Sequence, residues 1–246
     1  MEKEVGARML ERLDYVKLAP RRVLDAGSGP GRDARALAAR YAGAQVVALD
    51  YSLPMLPSPG LLERLLRRAP LPVCADLARL PFVEGKIDLV WSNMALHWLN
   101  EPLAAFREFG RVLAPEGLLM FSTLGPDTLK ELRAAAGERR VHAFLDMHDL
   151  GDMLVAAGFS APVMDMELLS FTYADSSGLL GDLRASGQTC ARADRPRGLA
   201  GRRFGERLRS ALAPRATFEV VYGHAWKAVP RAGEEAKTVR VFKRLP

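Results

Sequence analysis

The 246-residue chain is 49% apolar, enough to fill one core with an insertion, and no stretch approaches the roughly 18 uninterrupted apolar residues of a membrane-spanning helix. Two cysteines, Cys74 and Cys190, exclude a disulfide framework and are expected as packed thiols; the start MEKEVGARML lacks an apolar signal core, so a soluble, cytoplasmic protein is expected. The net charge of +6 is concentrated: between residues 184 and 215, nine arginines face only Asp194 and Glu206, a local +7 that suits an acidic macromolecule as well as a merely solvated face.

Val5, Met9, Leu13 and Val16 recur at helical spacing, so residues 2 to about 16 are expected to form an amphipathic helix. A short apolar run from Arg22 to Asp25 then meets a glycine cluster and a helical stretch from Arg32 to Tyr41. Further strands are expected at Val46 to Asp50, Pro72 to Cys74 and Ile87 to Trp91, with a helix from Leu103 to Leu113 after the last. Pro115-Glu116-Gly117 reads as a turn before a strand at 117–123. Helices follow at 126–136 and 146–157, then strands at 163–173 and 217–226. Strands alternating with helices imply an α/β fold: a doubly wound, mostly parallel, seven-stranded sheet. Residues 1–229 make one domain, and about 175–215 are expected to be a cap inserted over the active site, with Phe204, Leu208 and Leu212 on one helical face. Residues 230–246 form a charged tail, in which Thr238 to Phe242 can add an edge strand.

The strongest chemical signal is LDAGSGPG, with Gly27, Gly29 and Gly31 between a strand and a helix. Glycines there let the backbone approach a ligand where a Cβ would collide. A dinucleotide fingerprint would place its third glycine at Arg32 and would not set an acid such as Asp25 before the first. Asp50 ends the second strand, where a carboxylate can accept both hydroxyls of a ribose. Asp76, followed by Leu77, comes after the third strand, and Asn93 ends the fourth. Each alone reads as a turn residue. Together they resemble the class I S-adenosylmethionine-dependent methyltransferases, over about residues 20 to 125. The resemblance implies that Asp25, Gly27, Gly29, Gly31, Asp50, Asp76, Leu77 and Asn93 hold that cofactor, Asp76 at the adenine amino group and Asn93 near the methionine end. No metal ligands are expected.

His97 and Trp98 follow in NMALHWL. With SNMALHW, TLGPDTLKELR, HDLGDMLVAAGF, LRASGQ and GHAWKA, the chain is similar over most of its length to the malonyl-acyl carrier protein O-methyltransferases of biotin synthesis. The same segments are similar to an arginine hydroxylase that assists respiratory complex I assembly. A basic residue at Arg184 favours the first. A cofactor-binding protein that acts only through its basic face is a third reading. The resemblance implies methyl transfer to the free carboxylate of a malonyl group, with acyl carrier protein as partner and neither nucleic acid nor membrane. His97 and Trp98 are then expected to shape the acceptor site, and Arg184 to steer the acceptor carboxylate.

Overall fold

The computed structural model describes residues 1–58, 60, 69–187, 190, 192–198 and 200–229. Seven strands form one sheet: β1 (Arg22–Ala26), β2 (Gln45–Asp50), β3 (Leu71–Cys74), β4 (Ile87–Asn93), β5 (Leu113–Leu124), β6 (Phe159–Thr172) and β7 (Arg215–Lys227). Their order is β3-β2-β1-β4-β5-β7-β6. The first five run parallel, whereas β7 is antiparallel to both β5 and β6.

The central strands β1 and β4 are apolar on both faces because helices cover both. Val23 and Leu89 point into one core layer with Val5, Met9 and Leu37, while Leu24 and Val90 point into the other with Phe106 and Phe109. That division of neighbouring residues follows from the two-residue period of a strand. α1 (Glu2–Arg12) and α2 (Arg32–Arg40) supply the first layer; α3 (Pro102–Val112) and α5 (Met147–Ala156) supply the second. Asp146 caps α5 by accepting the His148 N–H, as the polar residue at that position leads one to expect.

Several boundaries differ from the sequence reading, among them the start of β6, four residues before the expected 163. α1 gives way to a 3-10 turn at Leu13–Tyr15. Pro115-Glu116-Gly117 is not a turn before β5 but a bulge within it: Glu116 has φ +61°, and the pairing with β4 jumps from Ile87↔Leu113 to Leu89↔Leu118. The helix expected from residue 126 starts only at Lys130, as α4 (Lys130–Ala136), because Leu129 is left-handed at φ +55° and Thr128 Oγ1 donates to the Glu219 carbonyl.

Between β6 and β7 lie α6 (Ser176–Ala185) and α7 (Gly201–Ala211). Leu212 is buried and Leu208 packs against the core, whereas Phe204 lies under the Arg140 guanidinium. Cys74 corrects an expectation: it is exposed, not packed, because β3 is an edge strand with little cover. Cys190 is half-buried. The tail from residue 230, with the strand expected at Thr238 to Phe242, lies outside the described residues. Among the described residues no helix is long and apolar enough to cross a membrane.

Candidate active site

The carboxyl ends of β1, β2 and β4 open onto a cleft of about 480 Å³. Its floor is the glycine loop after β1. Gly27, Gly29 and Gly31 have φ of +84°, +51° and +73°, a region that side chains with a Cβ rarely enter. At Gly27 space decides as well, since a Cβ there would lie 2.3 Å from that of Ala95. The loop is tied to β2 by the N–H groups of Gly27 and Ser28, which both donate to the Leu49 carbonyl at 2.8 and 2.9 Å.

Asp50 ends β2 and accepts from the N–H of Gly29 at 2.9 Å and of Ser52 at 2.8 Å, one on each oxygen. This holds its carboxylate in the cleft wall with lone pairs to spare. Asp25 is 1% exposed, and its Oδ2 has no partner among the described residues. Burial pushes its carboxyl well above the usual carboxylate range, and the charges of Asp33 and Asp50 push the same way against the N–H of Ala34. Asn93 at the end of β4 accepts from Ser122 Oγ and donates to Asp33 and to the Glu2 carbonyl.

Four carboxylates and one guanidinium line this cleft: Glu2, Asp25, Asp33 and Asp50 against Arg32. In a basic protein, that concentration of acids calls for a cationic ligand. Glu2 and Asp33 were not singled out in the sequence. An acid in the first turn of a helix commonly offsets the helix dipole, which hides a functional one.

Asp76 and Leu77 stand beside this frame. Asp76 is exposed after β3 and accepts the Ala78 N–H at 2.9 Å. Leu77 is buried, its Cδ1 3.9 Å from where a Gly27 Cβ would lie, so it backs the loop. Trp98 borders the cleft and also two further cavities, of about 30 and 490 Å³. His97 borders only those two. It is 9% exposed, and burial, aided by nearby His142, lowers its pKa to about 4. Arg184 is exposed in the last turn of α6 and lines none of these cavities, although Ser186 two residues on reaches the cleft. No group of three or more His, Cys, Asp or Glu side chains able to hold a metal ion occurs among the described residues.

A family profile described as a methyltransferase domain matches residues 24–121, the segment that supplies most of the cleft's lining. A malonyl-[acyl-carrier protein] O-methyltransferase of Methylovorus sp. is 51% identical over 251 residues, covering 94% of this chain and 83% of its own. One of the same name from Gallionella capsiferriformans is 49% identical, covering 97% and 88%. The chain belongs to the malonyl-[acyl-carrier protein] O-methyltransferase family. A solved structure of a putative methyltransferase from Bacillus halodurans has the same fold, with a TM-score of 0.65 at 18% identity over 92% of this chain and all of that one.

The cofactor of this methyltransferase family is S-adenosylmethionine, and the cleft fits it. That molecule carries a sulfonium and an ammonium. The buried Asp25 carboxylate, with one oxygen unpartnered among the described residues and further acids around it, is the kind of group such charges satisfy.

Proposed function

We propose that the protein is a carboxyl O-methyltransferase that esterifies the free carboxylate of a malonyl thioester on acyl carrier protein, in biotin synthesis. The observation that carries this reading is 51% identity, over nearly the whole chain, to a relative named for that acceptor.

When bound, S-adenosylmethionine supplies an electrophilic methyl group. Asp25 and Asn93 hold the methionine end, Asp50 the ribose hydroxyls, and Asp76 the adenine amino group, with Leu77 and the glycine loop as walls. A malonyl carboxylate is ionised at neutral pH, so it can accept the cofactor's methyl group on one oxygen, with S-adenosylhomocysteine as the leaving group and no proton to be moved. The chain therefore needs no general base; it supplies alignment and excludes water. His97, neutral and buried, and Trp98 shape the acceptor side. Arg184 we place with the arginines of 192–209 on a basic face that meets the acidic carrier protein.

The test is methyl transfer from labelled cofactor to malonate, malonyl-coenzyme A and malonyl-acyl carrier protein. Base-labile label on the malonyl group, with the highest kcat/KM for the carrier-bound acceptor, is expected. Transfer to none of the three sinks the proposal.

A further inference from the structure

We infer a carboxylate-binding subsite behind Trp98, formed by Arg140 and His97. It deepens the carboxyl O-methyltransferase reading and rests on it. The chamber of about 30 Å³ is lined by His97, Trp98, Arg140 and His142, with Leu129 and Phe144 among its apolar walls. That is room for about one or two water-sized atoms, enough for the one oxygen of a carboxylate that is held there.

Four buried side-chain nitrogen or oxygen atoms lack a partner among the described residues, and three of them belong to this chamber's lining: Nδ1 and Nε2 of His97 and Nδ1 of His142. Buried polar atoms are nearly always paired, so three orphans on two residues that line one small chamber leave unused hydrogen-bonding capacity there for a polar ligand. His142 positions the wall, since its Nε2 lies 3.0 Å from the His97 carbonyl oxygen.

Arg140 supplies the charge. Its guanidinium lies 4.1 Å from the centroid of the Phe204 ring, and among the described residues no side-chain hydrogen bond or ion pair occupies it. A guanidinium against an aromatic ring still has N–H groups to offer a carboxylate oxygen. Apolar walls strengthen that attraction.

The arrangement also separates charge correctly for the reaction. The acidic cleft repels an anionic acceptor, and among the described residues Trp98 alone borders both cleft and chamber. An acceptor carboxylate gripped by one oxygen at Arg140 and the His97 N–H sits outside the acids and presents its other oxygen past Trp98 to the cofactor.

The experiment compares parent, Arg140→Gln and Arg140→Lys in two measurements: KM for malonyl-coenzyme A, and calorimetric binding of a malonyl thioester against its methyl ester with S-adenosylhomocysteine present. Arg140→Gln is expected to raise KM about ten- to a hundredfold and to abolish the preference for acid over ester. Arg140→Lys keeps part of both, and cofactor affinity stays at the parent value in each. If Arg140→Gln does not fold, Phe204→Leu, which removes the plate and leaves the charge, must raise the same KM. A parental KM or an undiminished acid preference in these variants overturns the subsite. A parent protein that prefers the acid but transfers no methyl group would sink the proposed function and leave the subsite standing.

Discussion

Asn93 donates from Nδ2 to Oδ2 of Asp33 across 2.8 Å, and the same oxygen receives the Trp91 indole N–H at 3.1 Å. One carboxylate at the start of α2 thus fixes two side chains of β4, including Asn93, which lines the cleft with Asp25. Asp33→Ala leaves a fully buried indole N–H without its acceptor, which costs about 1–3 kcal/mol. For a chain of this size the melting temperature should fall by about 2–4 °C per kcal/mol. Loss of the negative charge also removes one cause of the raised Asp25 pKa. A variant that melts with the parent would show that Asp33 does not hold this corner.

The basic face makes a separate prediction. Arg202 and Arg203 are exposed on α7, the former paired with Glu206 one turn along. Rim charges act mostly on association and are screened over about 8 Å at physiological salt. Arg202→Glu with Arg203→Glu should raise KM for malonyl-acyl carrier protein several-fold, most at low ionic strength, with a smaller effect on malonyl-coenzyme A. Equal effects on both acceptors would count against carrier docking.

Much of this architecture is legible in the sequence because its signals are local. The short apolar runs of β1 and β4, the glycines with positive φ and the acid that ends β2 each announce themselves within a few residues. What is not legible is set by distant partners. The turn at residues 126–129 replaces helix because Thr128 bonds to Glu219, 91 residues away. The bulge at Glu116 answers to the register with β4. Arg140 looks like one more surface arginine beside Arg139 until the fold brings Phe204 beneath it and His97 beside it. Conversely Arg184, singled out for its place in a motif, emerges exposed, since a motif does not say which way its helix faces.

His97 makes the protein acid-sensitive. Its pKa is lowered to about 4 in the fold against the ordinary 6.5, so below 6.5 the unfolded chain takes up a proton that the folded one does not. The stability lost as pH falls from 6.5 to 4 is about 3 kcal/mol. Replacement by Phe removes this contribution. In urea unfolding, the drop in stability between pH 7 and pH 4.5 should be smaller for His97→Phe than for the parent by about 2–3 kcal/mol. Equal drops would mean that His97 is not held neutral.

Asp25 works in the opposite sense. Its carboxyl is raised by burial, so the folded chain keeps a proton at pH values where the unfolded chain has lost it, and stability falls as pH rises from 3.8 through the folded value. Asp25→Asn removes that burden and should raise the melting temperature of the cofactor-free protein at neutral pH. If Asp25 holds the cofactor's ammonium as proposed, the parent's affinity for S-adenosylhomocysteine should climb with pH until Asp25 is ionised. In the variant, affinity should be about one to two decades lower and flat over the same range. Calorimetry and thermal melting read the two effects separately. A variant that gains stability and keeps the parental affinity would show that the buried carboxylate is a cost the fold bears without using it for the cofactor.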